Sequence, residues 1–154
     1  YFLRAIYDTS RSFDDLQPQD IADAWLHYTR EKMGMFWWGG YGVSAAETVY
    51  ENLKHGITAP ESGSFQANGE MLPVQIGGQI FIDTWGLILP GDPQRAAEYG
   101  QIVASVMADG DGIWGARFFC AAISAAFFAA SVAELLDAGL SLLPPASLYV
   151  QYSP

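Results

Sequence analysis

Apolar residues recur along this chain at helical rather than strand spacing. Between Pro18 and Lys32, Ile21, Ala24, Trp25 and Tyr28 stand at i, i+3, i+4 and i+7, the stripe of a helix that buries one face. Phe2, Leu3 and Ile6 share a helical side in the opening residues, and Ala46, Val49, Tyr50 and Leu53 repeat the pattern further on. Ala96, Tyr99, Val103 and Val106 mark another helix, and an Ala-rich apolar run predicts one more from about Gly115.

Start and stop signals bracket these stripes. Ser44-Ala45-Ala46-Glu47 and Ser131-Val132-Ala133-Glu134 both read as capping boxes, in which the serine accepts from a first-turn amide and the glutamate reaches back. Asp92-Pro93 reads as N-cap and N1 proline, Gly34 ends the second helix, and Lys54-His55 precede Gly56 as a C-terminus requires. The last helix fades at Gly139, before Pro144-Pro145. Residues 57–73 carry Pro, Ser, Gly and Asn without a period and read as one long loop, a feature that in compact domains is more often functional than idle. The segment from Gln75 to Leu89 shows both alternation and helical spacing, and its context favours helix. The expectation is an all-α fold, an orthogonal multi-helix bundle, formed by residues 1–154 as a single domain or a fragment of one.

Composition narrows the function classes. A formal charge of −10 opposes a nucleic-acid backbone, so no nucleic-acid partner is expected. The uncharged run between Arg117 and Glu134 falls short of the roughly 20 apolar residues that span a bilayer, which argues against a membrane partner. The lone Cys120 excludes an internal disulfide, and with only His27 and His55 there is no Cys/His zinc module. The chain starts at Tyr1 without a signal sequence, as though cut, and the lone cysteine fits a cytoplasmic setting.

Gly40-Tyr41-Gly42-Val43-Ser44-Ala45 has the G-x-G-x-x-A spacing of a dinucleotide loop, yet no βαβ unit surrounds it. What remains is a set of backbone amides before a helix start, suited to phosphate or carboxylate, or else glycines that let the aromatic loop with Phe36, Trp37 and Trp38 pack. Asp109-Gly110-Asp111-Gly112 opens like a calcium loop, but Trp114 and Cys120 stand where an EF-hand needs glycine and glutamate. The aspartates then read as turn residues bonding local amides. His27, His55 and Cys120 read as structural, and no catalytic triad is in view.

Together, Gly40-Tyr41-Gly42 with Thr48, Leu53 and Gly56, then Pro60 to Gly63, Gln75 to Ile80, Asp83, Trp85-Gly86, Pro90 to Pro93, and Ser105 to Gly112 resemble the ADP-ribosylglycohydrolase family in order and spacing. The resemblance implies part of a larger all-helical hydrolase that cleaves the glycosidic bond of ADP-ribose conjugates with magnesium. It implies that Gly40, Tyr41 and Gly42 wrap a diphosphate, that Ser64, Asn68 and Gly69 line a ribose pocket, and that Asp109, Asp111 and Gly112 contact substrate. The family's Thr-Asp-Asp and Asp-x-Asp metal clusters are expected upstream of residue 1 and downstream of residue 154, so neither catalytic nor metal residues are assigned here. Ala108 stands where many relatives carry histidine, and Glu70-Met71-Leu72 departs from their Met-Arg. Two other readings stay open: a degenerate module that binds a nucleotide without turning it over, and a helical interaction domain.

Overall fold

The computed structural model describes residues 2–9, 12–29 and 39–153. The expected helix stop at Gly34 and the aromatic residues Phe36, Trp37 and Trp38 lie outside them. The described residues form helices and turns with no strand, so the fold is all-α. In chain order the helices are α1 (Phe2–Thr9), α2 (Pro18–Tyr28), α3 (Ala45–Lys54), α4 (Phe65–Asn68), α5 (Gly77–Ile80), α6 (Asp83–Leu87), α7 (Pro93–Ala104), α8 (Asp111–Ala125), α9 (Val132–Leu140) and α10 (Leu148–Gln151).

The predicted stripes are the buried faces. Ile21, Ala24 and Trp25 of α2, Val49, Tyr50 and Leu53 of α3, and Ala96, Tyr99 and Val103 of α7 are all buried. Trp85 of α6 stacks on Tyr99 at 5.8 Å, with Phe13 set edge-on to both rings. In α1, Ala5 is the buried residue while Leu3 is 39% exposed, so the apolar side is rotated from the one expected.

α8 is the centre of the packing, with its longest interface against α7 and further contacts with α5, α6 and α9. Its surface of Gly and Ala around the one Cys120 lets neighbouring backbones come close. A Cβ on Gly86 of α6 would stand 2.7 Å from Ile123 Cβ and 2.8 Å from the Cys120 carbonyl oxygen, and one on Gly100 of α7 would stand 2.8 Å from Cys120 Sγ. Buried Ser124 of α8 then holds the turn before α7: its hydroxyl donates to the Leu89 carbonyl and accepts from the Asp92 amide at 3.0 Å. α9 buries only Gly139, and Phe128, Val132 and Leu136 lie exposed beside it.

Several boundaries differ from expectation. α2 ends at Tyr28 because Thr29 is extended while its amide still closes on the Trp25 carbonyl. Residues 57–73 are not one loop: a 3₁₀ turn spans Glu61–Gly63, and Ser64 caps α4 through its hydroxyl. α8 begins at Asp111 rather than near Gly115, since Gly110 with φ 51° turns the chain directly into the helix. Both capping boxes are half formed. The serines cap as expected, but Glu47 accepts from Gly40 and Glu134 from Ala130, amides outside the box itself.

Gly86→Ala tests the close approach. The methyl meets the Cys120 carbonyl and the Cβ and Cγ2 of β-branched Ile123, so a loss of about 1–3 kcal/mol is expected from overpacking, and denaturant unfolding measures it. Unchanged or raised stability, as helix propensity alone predicts, would show that α6 does not need the small residue.

Candidate functional site

The loop after α3 is bound to the turn before α8 by three independent contacts. The buried Ser62 hydroxyl donates to the Val106 carbonyl at 2.9 Å. Gly63 lies so close to Met107 and Ala108 that a Cβ would meet their backbone at 2.7 Å. The Asp109 carboxylate accepts from the Phe65 amide at 3.1 Å and, through its other oxygen, from the Gly110 amide at 2.8 Å. On the far side the Asp109 amide donates to the Pro73 carbonyl at 3.1 Å, so residues 106–112 sit between two strands of irregular chain.

These contacts frame a cleft of about 810 Å³. Thr58, Glu61, Ser64 and Gln66 come from the loop side, Gln101 and Ser105 from α7 and its end, and Ala108 and Asp109 from the turn. Among the described residues no Lys or Arg lines it, and the polar wall they form consists of hydroxyls, side-chain amides and two carboxylates. Asp109 is engaged by amides at both oxygens, whereas the Glu61 carboxylate has no hydrogen bond or ion pair among the described residues.

The glycine turn lies beside this cleft rather than in its wall. Gly40 and Gly42 have φ of 87° and 79°, backbone that favours glycine. Their amides point into the chain: Gly40 donates to Glu47 Oε2 at 2.8 Å and Gly42 to Thr48 Oγ1 at 2.9 Å. Gln75 clasps the same turn, donating to the Val43 carbonyl and accepting from the Ala45 amide, each at 2.9 Å. Tyr41 projects outward, 66% exposed.

The family model described as ADP-ribosylglycohydrolase matches residues 1–152, almost the whole chain. This chain belongs to the ADP-ribosylglycohydrolase family. No curated protein and no solved structure matches it.

The substrate contacts suggested by the family resemblance fall into separate places. Ser64 and Asp109 share the cleft. Asn68, the last residue of α4, does not line the cleft but donates to the Ser62 and Ser64 carbonyls at 2.8 and 3.1 Å, and Gly69 ends α4 with φ 71°. Asp111 instead faces a second hollow with Gln79 and Tyr149 and accepts from the Leu148 amide at 2.9 Å. Burial, and secondarily the Asp111 carboxylate, push the Tyr149 phenol up from its ordinary value. Gly112 is buried, its Cα side only 2.3 Å from the Pro73 carbonyl oxygen for any added Cβ. The aspartates therefore staple separate segments, and they reach amides of α4 and α10 as well as the local one.

Sequence reasoning missed Gln101 and Ser105, although their i, i+4 spacing on the side of α7 away from its apolar stripe was visible. The described residues contain no group of three or more His, Cys, Asp or Glu placed to hold a metal, so they do not fit the magnesium ions implied by the resemblance. Cys120 is fully buried, with its thiol directed at the Ile82 carbonyl at 3.5 Å. Burial, then the Asp83 charge, push it from 9.0 up to about 12, which excludes it as a nucleophile near neutral pH.

Two predictions come from this geometry. Asp109→Ala removes the acceptor of the exposed Phe65 amide and should cost about 0.5–1.5 kcal/mol, read by denaturant unfolding; a change within error would mean that solvent replaces the carboxylate fully. For Cys120, the raised folded value means that its contribution to stability is complete below pH 9.0 and is lost as pH rises toward about 12. Cys120→Ala should flatten the stability profile over that window, and an unchanged alkaline slope would assign the loss to another group.

Proposed function

We propose that this chain provides the ADP-ribose-binding part of a glycohydrolase, with the ribose in the cleft and the diphosphate toward the glycine turn. Family membership over residues 1–152 supports the class of ligand. The observation that supports the placement is the cleft wall: Thr58, Ser64, Gln66, Gln101 and Ser105 offer hydroxyls and amides, and no cation lines the cleft among the described residues. Such a surface suits a neutral polyhydroxyl group and gives a diphosphate nothing to pair with.

For glycosidic cleavage a carboxylate must move a proton or activate water. Glu61 is the cleft carboxylate left uncommitted, and we assign that task to it. At the glycine turn, the inward hydrogen bonds give the amides of Gly40 and Gly42 a different part from direct anion capture. They fix the turn, and ligand contact falls to what the turn presents outward, Tyr41 and its neighbouring backbone.

Calorimetric titration with ADP-ribose tests the reading. Saturable binding is expected, and Gly42→Val should abolish it, because a β-branched residue cannot hold φ near 79° without strain. Circular dichroism establishes that both proteins are folded. Running the titration in magnesium and in chelator measures the metal's share, and equal affinity in both is expected from the absence of a ligand set among the described residues. No heat from folded wild-type protein would remove the proposal.

A further inference from the structure

α3 carries a buried polar line beside its apolar one. Ser44 at the N-cap, Thr48 and Asn52 are spaced by four residues, and Thr48 and Asn52 are only 3% and 4% exposed. Thr48 Oγ1 donates to the Ser44 carbonyl at 2.7 Å while accepting from the Gly42 amide, so it holds the glycine turn onto the helix. One turn further along, Asn52 Nδ2 donates to the Asn68 side-chain oxygen at 2.7 Å and to the Ser62 carbonyl at 3.1 Å. Its own oxygen faces the Tyr41 hydroxyl across a long 3.5 Å contact.

We infer that Asn52 is a positioning residue that sets the glycine turn and the 61–69 loop in register, so that the two halves of the ligand site move as one. The inference rests on the proposed ADP-ribose reading for its functional meaning, though the coupling itself belongs to the free protein. No other amide could replace this one simply. The site needs two donors aimed at Ser62 and Asn68 and an acceptor toward Tyr41, which uses both N–H groups and the oxygen of the Asn side chain. Burial makes the arrangement costly to break, because the nearly inaccessible Asn52 amide holds both ends: the Asn68 oxygen would lose this donor, and the Ser62 carbonyl would keep only Asn68.

Asn52→Leu keeps the approximate volume and removes both donors and the acceptor. Amide hydrogen exchange on the whole chain should then quicken about tenfold or more, as expected for a lost buried hydrogen bond, both at residues 40–43 and at residues 64–69. The α7 and α8 amides should keep their protection. Quickening confined to 64–69, or spread evenly over the chain, would overturn the inference, since the first shows no coupling and the second only lost stability. Tyr41→Phe provides a variant whose folding is not in question, with its ring 66% exposed. It should quicken exchange at Asn68 and Gly69 about twofold, in keeping with the long contact, and no change there would count against the Tyr41 arm.

In titrations with ADP-ribose, Asn52→Leu should weaken binding about tenfold. The loss caused by Tyr41→Phe should disappear on the Asn52→Leu background, where the acceptor of the Tyr41 hydroxyl is gone, as a shared path requires. Additive losses would overturn the coupling. If the wild type binds no ADP-ribose, the functional reading falls, while the exchange pattern still decides the role of Asn52.

Discussion

The closeness with which other backbones approach α8 governs the rest of this structure. Gly86 and Gly100 meet it at Ala116, Cys120 and Ile123 at distances that leave no room for a methyl group, and Gly139 of α9 does the same against Phe118. Close backbone packing of this kind has few alternative arrangements, because interiors at crystal-like density do not slide by small steps. It fixes α6, α7 and α9 relative to one axis. The start of that axis, the Asp109 to Asp111 turn, is thereby fixed as well, and the cleft is built on it.

The cleft itself is made differently from the scaffold. Its walls are short irregular segments, and side-chain oxygens pin them: Ser62 on Val106, Asp109 on Phe65, Asn68 on Ser62 and Ser64. Irregular chain has backbone groups with no ladder to satisfy them, so side chains must do so wherever the chain leaves solvent. This explains why carboxylates that look available for metal or substrate in the sequence are engaged with amides in the fold. It also explains why Glu61, on the exposed edge of its turn, remains uncommitted.

Helix positions were legible because they follow from local rules. Ser44, Asp92 and Ser131 cap helices where their chemistry places them, and the stripes of α2, α3 and α7 become core. The half-formed capping boxes were not legible, since Glu47 finds Gly40 only after the glycine turn folds back. The same holds for Asp109, whose partner Phe65 lies 44 residues away and whose apparent loop is the first turn of α8. Ser64 and Asp109, named through the family resemblance, line one cleft in the fold, whereas the surrounding Gln101 and Ser105 come only from the docking of α7 against the loop. Local chemistry reads from sequence, whereas partner choice across long separations does not.

α3 shows what the fold spends on its site. A helix that needs only to be buried does best with an apolar face, and Val49 and Leu53 supply one. Thr48 and Asn52 occupy neighbouring buried positions at the risk of unsatisfied polar atoms, a cost of about 1–3 kcal/mol each if a partner is lost. Packing alone does not call for them. They become useful once two segments without regular structure, the glycine turn and the 61–69 loop, must hold one relative position, because directional hydrogen bonds specify geometry that apolar contact leaves loose. Specification of that kind is worth its cost where a ligand must meet both segments together.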